Sequence, residues 1–282
     1  MTGAGGGQPA RLDPADQDVL ARAVLRLERA NFAVRLADYA GQPINRMLKA
    51  LPPIANDKIR SAVHVAMLRC LRVAICSLDR RPEKATKRPS NFAPKILSGL
   101  TGGVSGFVGI AALPIELPVT TTNMLRAIAD VARAEGEDLG DRHTQIACLE
   151  VFALGRRDGT IGTDAGYYAL RAMLAKATGD AAGYLLQRGV AEETAPVLMR
   201  FITEIATRYG IVVSERAAAS AVPVIGAIGG AAINWIFMDY FQEIARGHFA
   251  IRRLERKYGA APVQALYQEV ARRMEAKSKK VG

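Results

Sequence analysis

The chain has 282 residues, half of them hydrophobic and 23% charged, with three cysteines and a formal net charge of +11. That balance excludes disordered, collagen-like and disulfide-scaffold proteins, and the length allows one large domain or two modest ones. Residues 1–98 carry 17 Lys/Arg against 8 Asp/Glu, residues 99–210 carry 10 against 13, and residues 211–282 carry 11 against 6. Two basic ends flanking a mildly acidic middle fit an anionic partner. The opening MTGAGGGQPA has no positive n-region and no apolar core, so it reads as a flexible tail over 1–12 and not as a signal peptide.

Helical periodicity runs through nearly the whole chain. Asp13-Pro14 starts the first helix, with Asp13 as N-cap and Pro14 at N1. Pro52-Pro53 is a break. A second helix places Ile59, Val63, Met67, Cys70 and Ala74 on one stripe. Residues 80–90 form a basic linker with two prolines. After an apolar run over 96–115, a helix is expected from Pro118 to about Ala134, ended by Gly136. Asp141 caps the next helix, which ends at Gly155. Further helices are expected near 165–177 and 191–209, then 236–257 and 262–278. No sustained alternation of period two occurs, so no sheet is expected. Cys70, Cys76 and Cys148 form no disulfide framework and are expected to pack as small apolar residues.

The two uncharged runs, 96–115 and 217–238, carry the strongest signal. The first contains Gly99, Gly102, Gly103, Gly106 and Gly109, and the second repeats the i, i+4 spacing with Gly226 and Gly230. Small residues at that spacing let helix backbones approach closely. Gly99, Gly102, Gly103, Gly106, Gly226 and Gly230 are therefore expected at one helix–helix contact. Twenty residues at 1.5 Å each span ~30 Å, one bilayer core. Insertion into a bilayer and a buried helical hairpin both remain open readings. Arg80, Arg81, Lys84, Lys87 and Arg88 precede the first run, and Arg252, Arg253, Arg256 and Lys257 follow the second. They are expected to form one exposed positive face for an anionic membrane surface. Nucleic acid is the poorer partner, because few aromatics interleave with these charges and no nucleic-acid-binding motif occurs.

These segments resemble the EcsC family. The first signature runs from Leu97 through Gly99, Gly102, Gly103 and Gly106 to Leu113-Pro-Ile-Glu116-Leu-Pro118, and then to a helix carrying Arg126. The second is Val222-Pro223, then Gly226, Gly229 and Gly230, then Asn234 in an apolar helix. The resemblance covers roughly residues 50–258. It implies a bacterial protein connected with membrane transport or membrane homeostasis, the family's name coming from a gene beside two components of an ABC transporter. It carries over no catalytic residue.

Little chemistry is written in the remaining residues. His64, His143 and His248 form no HExxH and no metal-ligand spacing with cysteine, and the glycine-rich run lacks the lysine of a phosphate-binding loop. No metal and no cofactor is expected. One polar constellation stands out. Glu116, Thr120 and Asn123 fall at i, i+4 and i+7, with Asp130 beyond, emerging from an apolar run. A carboxylate there needs a partner, and Arg126 and Asn234 are the candidates. The constellation reads either as a helix-capping acid or as a polar pocket for a headgroup or a lipid-like ligand.

The sequence thus predicts an all-α protein, with one domain over 13–282 built around two glycine-rich apolar helices. Its expected role is that of a non-enzymatic accessory or regulatory protein, peripheral at the cytoplasmic membrane face, with a membrane protein or anionic lipid as partner. The alternative is a soluble small-ligand-binding protein or hydrolase using the pocket of Glu116, Thr120, Asn123, Arg126 and Asn234.

Overall fold

Prolines at 114 and 118 do not break the helix that contains them. In the computed structural model, which describes residues 12–28, 32, 35, 53–78, 108–155, 166–189, 195–220 and 230–278, that helix runs unbroken from Val108 to Ala134. Proline in a helix interior costs about 3 kcal/mol through its lost N–H and ring clash. Here the helix buries Leu117, Met124, Leu125, Ile128 and Ala132, and that packing outweighs the cost. The expected start at Pro118 is corrected accordingly.

Eight helices make up the described residues: α1 (Pro14–Glu28), α2 (Pro53–Ser77), α3 (Val108–Ala134), α4 (Arg142–Leu154), α5 (Tyr167–Arg188), α6 (Pro196–Ser220), α7 (Gly230–Tyr258) and α8 (Ala260–Ser278). No strand occurs among them, and the all-α reading holds. α4 is the hub. It packs on α2, α3, α5, α6 and α7, and every side chain from Thr144 to Leu154 is buried. Asp141 caps it as expected, its carboxylate accepting from the Thr144 N–H at 3.0 Å. Gly136, at φ 79°, supplies the left-handed step that ends α3 and aims the chain at α4.

The longest element, α7, joins two stretches that the sequence suggested were separate. It contributes Phe237, Tyr240 and Phe241 to an edge-to-face aromatic cluster with Phe32, Phe152 and Tyr209. Such pairs add about 0.5–1.5 kcal/mol beyond their burial. α5 and α6 also extend past their expected ends, to Arg188 and Ser220, because Ala181, Ala182, Leu185, Val212, Val213 and Ala217 continue their buried stripes. Cys70 and Cys148 pack in the core as expected, whereas Cys76 is exposed.

α1 lies along α7 at a close approach made possible by Gly247. A Cβ there would meet Leu27 Cγ at 2.7 Å and the Ala23 carbonyl oxygen at 3.3 Å. Gly247→Ala is therefore expected to lower stability by about 1–3 kcal/mol, the usual cost of overpacking. Thermal unfolding at fixed pH checks this, and an unchanged Tm would mean that α1 shifts freely on α7.

Candidate functional site

Glu116, near the start of α3, forms an ion pair with Arg216, near the end of α6. The Arg216 side chain is only 8% exposed against 32% for Glu116. Its guanidinium lies 5.0 Å from the centre of the Phe237 ring, near the start of α7, a cation–π contact strengthened by burial. Two turns along α6, Tyr209 and Thr121 share a hydrogen bond of 2.9 Å between their hydroxyls. α3 and α6 therefore run antiparallel, and α7 begins at the end where α3 begins and α6 stops.

The expected polar pocket is thus assembled differently. Arg216, which sequence reading passed over, supplies the cation in place of Arg126. Thr120 is buried, whereas Asn123 and Arg126 are exposed. Asn234 is buried on α7, one turn before Phe237, and its Oδ1 takes no hydrogen bond. The sequence signal for Arg216 was slight: it is simply the last charge before the second apolar run.

Both glycine-rich segments join the bundle at this same end, one leading into α3 and the other linking α6 to α7. Gly99, Gly102, Gly103, Gly106 and Gly226 lie outside the described residues, and Gly230 opens α7. Around this junction Ile115, Val119 and Trp235 are exposed. No helix among the described residues is long and apolar enough to cross a membrane.

The basic stretch after the second run is not a free positive face. Arg252 donates to both Glu137 oxygens, at 2.8 and 3.1 Å, and Arg256 pairs with the same carboxylate. Arg253 reaches Glu135 at 2.7 Å and Asp16 at 3.5 Å. Lys257 reaches Asp16 at 2.7 Å and Asp13 at 3.1 Å. Arg256 and Lys257 are exposed, as expected, and Arg252 and Arg253 are half-buried, but all four are paired: Asp13, Asp16 of α1 and the acids of the α3–α4 turn take up their charge and tie those elements to α7. Asp13 itself turns to Lys257 and Tyr258. Arg80, Arg81, Lys84, Lys87 and Arg88 lie outside the described residues.

A second polar region, absent from the sequence reading, lies between α4, α5 and α7. His248, Arg252 and Glu255 fall at i, i+4 and i+7 on α7 and face Tyr167, Tyr168 and Arg171 of α5. The Tyr167 hydroxyl and His248 Nδ1 are 2.9 Å apart, and Nε2 of this fully buried ring has no partner. Arg171 and the Tyr168 hydroxyl both donate to Glu255 at 2.8 Å. Behind them sits Glu150 of α4, whose carboxyl is pushed up to about 7 by burial, partly offset by the charges of Arg171 and Arg252. Burial, with the same two arginines, holds His248 well below the usual imidazole range, so it is neutral. The spacing on α7 was readable, but nothing in sequence tells a polar seam from a solvated face. Among the described residues no His, Cys, Asp and Glu group is arranged to hold a metal ion.

A family model described as the EcsC protein family matches residues 30–254, most of the chain. The match begins earlier than the resemblance drawn from the glycine-rich signatures; it covers the Glu116–Arg216 site and all of the second region but Glu255. No curated protein matches the chain, and no solved structure does.

Proposed function

We propose that this chain, which belongs to the EcsC family, is a non-enzymatic accessory or regulatory protein docking at the cytoplasmic face of a membrane, in the service of membrane transport or homeostasis. One observation carries the reading. The two apolar glycine-rich segments enter the bundle at one end, and that end exposes Ile115, Val119 and Trp235. Apolar side chains gathered with an aromatic at one end suit the interface between headgroups and acyl chains. The electrostatic part falls to Arg80, Arg81, Lys84, Lys87 and Arg88, which lead into the first segment, since Arg252–Lys257 are paired and lie roughly 30 Å along α7 from the junction. A lipid-like ligand would meet the same end. The alternative of a hydrolase built on Glu116 is weakened by its ion pair with Arg216, which makes that acid a joint between helices and not a free base.

Trp235 is the single tryptophan, so docking has a built-in reporter. Vesicles containing phosphatidylglycerol should shift its emission to shorter wavelength, and added salt should weaken the effect as exposed charges are screened beyond about 8–10 Å. Ile115→Glu should reduce vesicle binding at least about tenfold, the cost of putting a charge in an apolar contact, with helicity unchanged because the side chain is 80% exposed. Unshifted emission together with equal binding by the variant would sink the reading.

A further inference from the structure

α2 and α3 lie side by side and run the same way. Arg142, at the start of α4, donates to the Ile75 carbonyl at 3.1 Å, which puts the end of α2 beside the end of α3. Midway, the Cys70 thiol and the Thr122 hydroxyl are hydrogen-bonded. Both helices therefore start at the junction end, and both back onto α4 and α6. On α3, Thr121 turns to Tyr209 of α6, and Thr122, about 100° further round, turns to α2. The next sector round is exposed and carries Ile115, Val119 and Arg126. On α2, Lys58, Val65, Arg69, Arg72 and Cys76 fall at i, i+7, i+11, i+14 and i+18, and all are exposed. The two stripes thus open on one side of the bundle, on a flank roughly 27 Å long.

The charge of this flank is one-sided. Unlike Arg252–Lys257, its cations Lys58, Arg69 and Arg126 make no ion pair with a described residue. Of the acids on the two helices, Asp130 is paired with Arg133 at 3.3 Å and Glu116 with Arg216, which leaves exposed Asp57 at the edge. We propose that the α2–α3 flank is the surface that lies against an anionic bilayer. Lipid phosphates meet Lys58, Arg69, Arg72 and Arg126, while Val65, Ile115 and Val119 reach the boundary between headgroups and acyl chains. Nucleic acid fits less well, because α2 and α3 contain no Phe, Tyr or Trp on which a base could stack. An acidic protein would use the cations and leave the apolar side chains between them idle. The proposal rests on the docking reading and gives it an orientation: Ile115 and Val119 belong to both the junction end and the flank, so α2 and α3 lie along the membrane.

Cys76, at the far end of the α2 stripe, is exposed, whereas Cys70 and Cys148 are buried. An environment-sensitive fluorophore can therefore be attached to it in the full native chain. On vesicles of phosphatidylglycerol and phosphatidylcholine in equal parts, both this probe and Trp235 should shift to shorter wavelength. In unlabelled protein, Arg69→Gln with Arg126→Gln should weaken vesicle binding at least about tenfold, since each cation at an anionic surface is worth about fivefold. Arg22→Gln with Arg188→Gln removes the same charge from exposed sites on α1 and α5 and should cost under about threefold. A shift of Trp235 without one at Cys76, or equal losses in the two double variants, overturns the flank and leaves docking through the junction end standing. No binding by the wild type overturns both. Tighter binding to a short RNA duplex than to the vesicles, lost in the Arg69 and Arg126 variant, overturns the bilayer as the occupant.

Discussion

Replacing Glu137 with alanine is expected to lower the unfolding free energy by about 3 kcal/mol, the lower end of the cost of breaking a buried charge pair. The carboxylate is 5% exposed and accepts from Arg252, Arg256 and the Thr144 hydroxyl, the last at 3.0 Å. Its removal strands the Arg252 guanidinium, which is a quarter exposed, so water recovers part of the loss. At this chain length the change corresponds to a fall in Tm of roughly 6–12 °C. The double variant with Arg252→Met should recover much of it, because replacing both partners removes the orphaned charge. Burial raises the Glu137 pKa, but hydrogen bonds and charge from Arg252 and Arg256 outweigh it and hold the group below its ordinary 4.5. Its contribution is therefore present above pH 4.5 and lost as pH falls through the depressed folded value. The gap between wild type and Glu137→Ala should close in acid. A loss below about 1 kcal/mol at pH 7 would mean that the pair behaves as an ordinary surface bridge.

The periodicity of apolar residues was enough to call the fold all-α, because each helix buries a stripe that repeats every three to four residues. Local signals also served where their chemistry is local. The Asp141 carboxylate does cap Thr144, and Gly136 does take the left-handed step. The reading went astray where a distant partner decides. Pro114 and Pro118 look like breaks, yet the contact between α3 and α2 holds the helix through them. Asp13 looks like a cap, yet Lys257 and Tyr258, 244 and 245 residues away, claim its carboxylate. Arg252, Arg253, Arg256 and Lys257 look like a membrane-facing patch until Asp13, Asp16, Glu135 and Glu137 fold against them. Glu116 was picked out correctly as an acid needing a partner, but Arg216 lies 100 residues on and carries no pattern of its own. Charge counts along a chain record the sign of each residue. They do not record which charges cancel in space.

The second large effect is expected at Glu150, and its sign is opposite to that at Glu137. Burial raises this carboxyl from 4.5 to about 7, so between those values the folded chain holds a proton that the unfolded chain does not. Stability then falls as pH rises through that window. The penalty is absent below pH 4.5, complete above pH 7, and amounts to about 3 kcal/mol at 1.36 kcal/mol for each pKa unit. Glutamine cannot ionise, so Glu150→Gln removes the window while keeping the shape. It introduces an amide that lacks hydrogen-bond partners, at about 1–3 kcal/mol independent of pH. The decisive quantity is therefore the difference between variant and wild type at two pH values, not its value at one. Denaturant unfolding at pH 5 and pH 8 should show the variant gaining roughly 3 kcal/mol on the wild type between them. Glu137 and the Asp13–Asp16 acids titrate at lower pH in both proteins, with their pKa values lowered, and cancel from the comparison. A difference that stays constant from pH 5 to pH 8 would mean that Glu150 is already ionised at pH 5 and that Arg171 and Arg252 hold it as a third partner of the seam.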